Sequence, residues 1–286
     1  MTPNHDPHRG ASAVRCPRRR AFTLVELLTV MGILLLMSVL TAVAVGRVAQ
    51  DARISSGTNA VTAALGAARG LAMERNSVIL VTFAPVWDPA RPDLPQLTEV
   101  VIAEPTGAAD LFFTGGIPNI ASAFRPVRGY QPRTLPQGVG VAGPQSDFAG
   151  GDTFWITLPD LRNQERGRML AILFSPDGRV LTRMPNGSVQ GRHYVFLDRN
   201  GNGVQDISFA GSDSFFIGAI GDEPNLQTVN TIAIFDDREL RRRYDTTLWR
   251  GTSVPAQTER LEKITEYITE SSNRISFNRY SGVVQR

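Results

Sequence analysis

The chain has 286 residues, with 42% of them hydrophobic and a formal charge of +3, enough for one large domain or two small ones. The basic excess is local: residues 1–21 carry Arg9, Arg15, Arg18, Arg19 and Arg20 against Asp6, and beyond them 25 basic residues face 26 acidic ones, which excludes a globally basic, nucleic-acid-coating protein. Cys16 is the one cysteine and His193 the one histidine beyond residue 21, so disulfides within that part, cysteine-based zinc sites and multi-histidine metal centres are excluded as well.

The first element is apolar. Arg18-Arg19-Arg20 precedes Ala21-Phe22-Thr23-Leu24-Val25-Glu26, and from Leu27 to Gly46 there are 20 consecutive uncharged residues. About 20 such residues span a hydrocarbon core as a helix. A lone ionised Glu26 in that setting costs about 2.5–3.5 kcal/mol near the centre of a membrane helix and less near its end. It therefore needs a partner, and the helix itself is expected to supply none. A secretory signal peptide would have a shorter apolar core and then a small-residue cleavage site. An uncleaved single-pass anchor is the other reading of the same run. The arginine cluster orients the span, keeping residues 1–21 cytoplasmic and exporting the chain beyond it.

Phe22-Thr23-Leu24-Val25-Glu26-Leu27 after a basic leader resembles the processing motif of type IV prepilins and type II secretion pseudopilins. The resemblance implies that prepilin peptidase cuts between Ala21 and Phe22, where the family usually has glycine before the cut. It implies a methylated amino terminus at Phe22, and a Glu26 that pairs with the terminal amine of a neighbouring subunit during assembly. The implied partners are other pilins or pseudopilins, the peptidase and an inner-membrane assembly platform. The implied location is the bacterial inner membrane as a single-pass protein with its C-terminal domain in the periplasm, and then a pilus or pseudopilus.

No proline occurs between Phe22 and Phe83, so one helix is expected from about residue 22 to 75. Residues 22–48 form the transmembrane and assembly half and residues 49–76 the exported half. In the latter, Ile54, Val61, Leu65, Ala68 and Ala72 fall on one stripe at helical spacing and are expected to pack on a sheet. Ala64-Leu65-Gly66-Ala67-Ala68-Arg69-Gly70-Leu71-Ala72-Met73-Glu74-Arg75-Asn76-Ser77-Val78 resembles the helix-to-strand junction of the GspH/FimT pseudopilins and minor pilins. The resemblance implies an α+β, type IV pilin-like fold, with the long helix against an antiparallel β-sheet.

A β domain is expected over 77–236. Ten of the 18 prolines lie between Pro85 and Pro144, so residues 84–150 read as a Pro/Gly-rich insertion. Within it Leu97–Ala103 reads as a strand, and Gly107–Gly116 and Gly138–Gly151 as loops. Strands are then expected at 154–156, Arg168–Phe174, Val180–Arg183, His193–Leu197, Ser214–Ile220 and Val229–Phe235. Ser175-Pro176-Asp177-Gly178-Arg179 reads as a tight turn. Residues 237–286 read as a C-terminal extension, with a short amphipathic helix carrying Leu261, Ile264 and Ile268 and closing strands at Ile275–Phe277 and Val283–Val284.

Two clusters invite chemistry. Asp198, Asn200, Asn202 and Asp206 are spaced like the opening of a calcium loop, but Phe209 stands where a bidentate glutamate belongs. The other reading is a turn built on two Asn-Gly pairs. Calcium at this loop is the one cofactor candidate; otherwise none is expected. Arg241, Arg242 and Arg243 form the densest basic run beyond the leader. They are the candidates for nucleic-acid contact in a DNA-uptake pilin, weighed against a solvated charged turn flanked by Asp236, Asp237 and Asp245. His193 sits in a strand pattern, and no G-x-S-x-G or Walker spacing occurs. No enzymatic activity is expected, and filament assembly is the expected function.

Overall fold

The computed structural model describes residues 23–86, 97–114, 117–146, 153–156, 168–181, 193–206, 223, 225–245, 254–278 and 284–285. Its first element, α1 (Leu24–Glu74), is an uninterrupted 51-residue helix, as the absence of proline predicts. It ends where Asn76 turns to a positive φ of 47° and the Ser77 amide donates back to the Ala72 carbonyl at 3.2 Å. Asparagine is among the few residues that tolerate this left-handed cap. In the apolar half, the hydroxyls of Thr29, Ser38 and Thr41 donate to the carbonyls of Val25, Leu34 and Met37. These polar groups are thereby satisfied within the helix, which a lipid environment requires.

Two sheets come after α1. The chain runs through β1 (Ile79–Val86), β2 (Leu97–Thr114), β3 (Ile117–Pro126), β4 (Arg133–Thr134), β5 (Val139–Ser146), β6 (Thr153–Ile156) and β7 (Arg168–Phe174). Then come β8 (Val180–Leu181), β9 (His193–Leu197), β10 (Asn225–Thr228), β11 (Thr231–Asp236), α2 (Asp237–Arg243), α3 (Val254–Ser271), β12 (Asn273–Phe277) and β13 (Val284–Gln285). The expected Ser214–Ile220 strand lies outside the described residues.

In the first sheet β1, β2, β3, β9, β10 and β7 pair in that order, and β7 pairs back onto β1, so these six strands close on themselves. Alternation along the strands sorts the side chains. Leu80, Ala84, Val101, Ala103, Phe124, Leu173, Val195 and Leu226 form one buried cluster on one face. Ile79, Val81, Phe83, Val100, Ile102, Leu170, Ile172 and Phe174 lie on the other face, in one cluster with Val61, Leu65, Ala68 and Ala72 of α1. Each large apolar side chain so buried is worth about 1.5–3 kcal/mol. Thr82, fully buried, donates its hydroxyl to the Leu170 carbonyl at 3.0 Å.

The antiparallel sheet expected from the resemblance is corrected here: β3 with β9 and β7 with β10 are parallel pairs. Tight hairpins produce antiparallel neighbours, whereas parallel ones need long connections. Both parallel pairs join strands far apart in sequence, residues 117–126 with 193–197 and 168–174 with 225–228.

Residues 97–146 are likewise strands of the two sheets and not an inserted decoration. Gly107, with φ of 83°, stands at a register shift between Pro105 and Ala109 in the β2–β3 pair, so the expected loop at 107–116 is a bulged strand as far as Thr114. The expected 138–151 loop is β5 as far as Ser146. Its glycines clear space for packing: a Cβ at Gly140 would strike the Phe235 ring, and one at Gly143 would lie 2.6 Å from Leu170.

The second sheet runs β13, β12, β11, β5, β6. One face, with Val139, Val141, Ile232, Ile234, Ile275 and Phe277, joins the α1 cluster. The other, with Ala142, Ala233 and Phe235, is covered by Leu240 of α2 and Ile264, Tyr267 and Ile268 of α3. The described residues of 237–286 thus complete a sheet and cap it. The domain half of α1 shares one buried cluster with both sheets, and at Gly57 a Cβ would be 2.7 Å from Val139.

Overpacking a filled contact costs about 1–3 kcal/mol. Gly57→Val is therefore expected to lower the domain's unfolding free energy by that amount. Gly66→Ala, at a position with nothing within 4 Å, is expected to be neutral or to stabilise by about 0.5–1 kcal/mol. Denaturant titration of the full chain in detergent checks both.

Candidate assembly and processing site

Of the three residues that the motif singles out, Ala21 and Phe22 lie outside the described residues. Glu26 is in the first turn of α1. Its Oε2 accepts from the Thr23 amide at 2.9 Å and from the Thr23 hydroxyl at 3.0 Å, while the Glu26 amide donates to Thr23 Oγ1 at 3.2 Å. This is a capping box, in which two otherwise orphaned amides are satisfied reciprocally. It corrects the expectation that nothing within the helix engages this carboxylate. The hydrogen bonds position Glu26 without neutralising it: no cation pairs with it among the described residues, and both bonds fall on Oε2. Oε1 is left for a second donor. Around it Leu24, Val25, Leu27 and Leu28 are 77, 70, 55 and 60% exposed. The apolar face is built for a surrounding other than its own domain.

The 198–206 loop uses its side chains to hold itself. Asp198, 2% exposed, accepts from the amides of Gly201 at 2.6 Å and Gly203 at 2.9 Å. Asn200 and Asn202 both donate to Asp206 Oδ2, at 2.6 and 2.8 Å. Asn200 Oδ1 and Asn202 Oδ1 accept from the amides of Asn202 and Val204. Gly201 and Gly203 take φ of 78° and 74°, as successive Asn-Gly turns require. The four candidate ligands are thus brought together, with at least one oxygen of each engaged by the loop. Among the described residues, no group of three or more His, Cys, Asp or Glu is arranged to hold a metal ion.

Sequence reasoning missed Glu223. Only 1% exposed, it accepts from the Arg199 amide at 2.7 Å and the Asp206 amide at 3.2 Å. No local pattern announces it, because it reaches the loop from 17 residues beyond Asp206.

The three arginines do not make a common cationic face. Arg241 pairs with Asp237 at 2.7 Å, Arg242 with Glu239 at 3.7 Å and Arg243 with Glu270 at 2.6 Å. His193 is the first residue of β9; its side chain lies outside the described residues.

Burial raises the Glu223 carboxyl above the ordinary glutamate range, with Asp198 and Asp206 adding repulsion and the two amides opposing the rise. A raised acid contributes stability that is full below its unfolded value and is lost as pH rises through the folded one. The stability advantage of the native chain over Glu223→Gln should therefore be largest below about pH 4 and shrink toward neutrality. Urea midpoints across pH check this; an advantage growing with pH would contradict it.

Residues 16–42 match the family described as the Prokaryotic N-terminal methylation motif. No curated protein and no solved structure matches the chain. α1 is the one helix among the described residues long and apolar enough to cross a membrane. The motif, lying across Ala21, Phe22 and Glu26 and running into that helix, indicates a pilin-like protein that prepilin peptidase processes and that assembles with other pilins.

Proposed function

We propose that the chain is a minor pilin or pseudopilin of the GspH/FimT type, a subunit of a type II secretion system or type IV pilus. Peptidase cleavage between Ala21 and Phe22 would leave a cationic, methylated Phe22 amine at the head of α1. The subunit waits in the inner membrane, anchored by residues 22–48, with the β-rich domain on the periplasmic side because Arg18, Arg19 and Arg20 hold the leader in the cytoplasm. Assembly packs the apolar halves of neighbouring helices together. The domain, a long helix against β-sheet, fits a type IV pilin-like architecture.

The observation that carries this reading is Glu26. One carboxylate stands in an otherwise apolar first turn, oriented by Thr23 and lacking a counter-ion among the described residues. In lipid that state is costly. A Phe22 amine from an adjacent subunit neutralises it, turning two unpaired charges into one charge-assisted pair. Pairing favours the filament over the dispersed membrane pool, which is the direction assembly requires.

The alternative is a DNA-binding minor pilin for DNA uptake. It needs several cations free for phosphate on one face, whereas Arg241, Arg242 and Arg243 each already face a carboxylate. The assembly reading is favoured for that reason.

Two outcomes are expected. Glu26→Val should leave membrane insertion intact and reduce recovery of the chain in sheared filaments by about tenfold, the equivalent of one lost charge pair of roughly 1.4 kcal/mol; undiminished recovery sinks the assembly role. Mass spectrometry of the native chain should find a methylated terminus at Phe22, and full retention of residues 1–21 would count against processing.

A further inference from the structure

A row of cations is anchored along β2. Glu104 is shared by two arginines, Arg75 just past the end of α1 and Arg125 at 3.2 Å, from the facing position of β3. Two residues back, the Ile102 carbonyl accepts the Val127 amide at 2.9 Å. Val127 opens a tight turn, closed by the Tyr130 amide at 3.1 Å, with Arg128 and Gly129 as its central residues. Two residues further back, Arg133 of β4 pairs with Val100. Strand residues two apart are separated by about 7 Å, so the three anchor points lie within about 14 Å. Arg125, Arg128 and Arg133 are exposed, and Arg128 and Arg133 have no carboxylate partner among the described residues. Glu99 adds nothing here, since by alternation it belongs to the opposite face of β2, where Arg199 faces it at 3.4 Å.

The complementary pattern stands on α3. Glu259, Glu262, Glu266 and Glu270 recur at i, i+3, i+7 and i+11, all exposed. They lie on one stripe, away from Ile264 and Ile268, which are buried against the second sheet. At about 1.5 Å of rise per residue the stripe is about 16 Å long, close to the length of the cationic row. Lys263 faces Glu266 at 3.0 Å and Arg243 faces Glu270 at 2.6 Å. Glu259 and Glu262 have no ion pair among the described residues. Nor does any ion pair among those residues join the two rows within one chain.

We propose that the two rows meet between copies: the Arg125–Arg128–Arg133 edge of one subunit docks on the glutamate stripe of α3 of a second copy of this chain. The inference rests on the filament reading above and supplies a contact between the exported domains that Glu26 does not. Length, sign and spacing all agree. The match also extends to the exceptions, because Glu104 interrupts the arginines and Lys263 interrupts the glutamates. A nucleic-acid backbone has no cation to set against Glu104, which is why an acidic helix fits this edge better than a phosphate chain. Arginine suits the task, since its planar fork engages a carboxylate through two parallel bonds. The contact joins two different surfaces, so it is heterologous, and repeating it builds an open helical array where the rotation does not close.

The test uses two differently tagged full-length copies in membranes, both with Cys16→Ser. One carries Tyr130→Cys beside the arginines and the other Thr269→Cys beside the glutamates, both at exposed positions. Oxidation should join the two tags, and either variant alone should give little dimer. Arg128→Glu with Arg133→Glu, at residues outside any ion pair of the described fold, should lower the yield about tenfold. Glu259→Arg with Glu262→Arg in the other copy should restore it, which a merely structural role would not do. An adduct indifferent to the first reversal, or a loss that the second does not rescue, would overturn the proposal. So would binding of labelled oligothymidine that the arginine reversal abolishes, since the edge would then serve nucleic acid. Normal recovery in sheared filaments without the adduct removes this contact and leaves the filament reading. A chain never cut at Phe22 removes that reading, while the paired reversals still decide whether the two surfaces meet.

Discussion

The unbroken hydrogen-bond ladder of α1 is the constraint on which the rest depends. A backbone that enters hydrocarbon has no water to satisfy its amides and carbonyls, so it must do so itself. Fifty-one residues without proline achieve this, and even the hydroxyls of Thr29, Ser38 and Thr41 bond back to the ladder. In the domain half of the same helix, Val61, Leu65, Ala68 and Ala72 form an apolar stripe. Small residues dominate it. Ala68, Ala72 and Gly57 let sheet side chains approach the helix axis, at Gly57 to the limit that Val139 sets. A helix of bulkier residues would bury more area per side chain but would hold the sheets further off.

The features legible in the sequence are those that depend on neighbours along the chain. The extent of α1 comes from absent proline and a continuous apolar run; β7 and β9 come from bounded, mainly apolar runs. The closed ring was not legible, because β3 meets β9 and β7 meets β10 across long intervals, and no local pattern encodes a parallel partner. The glycines of β5 misled for a related reason. Gly140 and Gly143 read as loop signals, yet their role is set by Phe235 and Leu170, far along the chain. The candidate site divides in the same way. Glu26 stands out as a charge among apolar residues, but its engagement by Thr23 was not expected, although Thr23-x-x-Glu26 has the spacing of a capping box. Glu223 was not readable, since only the folded loop brings it to Arg199 and Asp206.

The treatment of carboxylates separates structure from function in this molecule. Asp198 and Glu223 are almost fully buried and each accepts two backbone amides. Asp236 caps α2 and faces Arg53, and Asp237 holds Arg241. Buried acids without partners would each destabilise the fold by several kcal/mol, so folding alone explains these arrangements. Asp198 and Glu223 each use both carboxylate oxygens on amides of the loop, which is why the loop reads as self-supporting architecture.

Glu26 obeys a different logic. It has no counter-ion among the described residues, and it is not needed to close a core, since it is exposed on α1. Thr23 fixes the orientation of Glu26. A monomer gains nothing from leaving an acid unpaired in an apolar turn. That cost vanishes if the missing cation arrives on another chain, which is why the carboxylate of an otherwise apolar turn points to assembly and not to the stability of the single subunit.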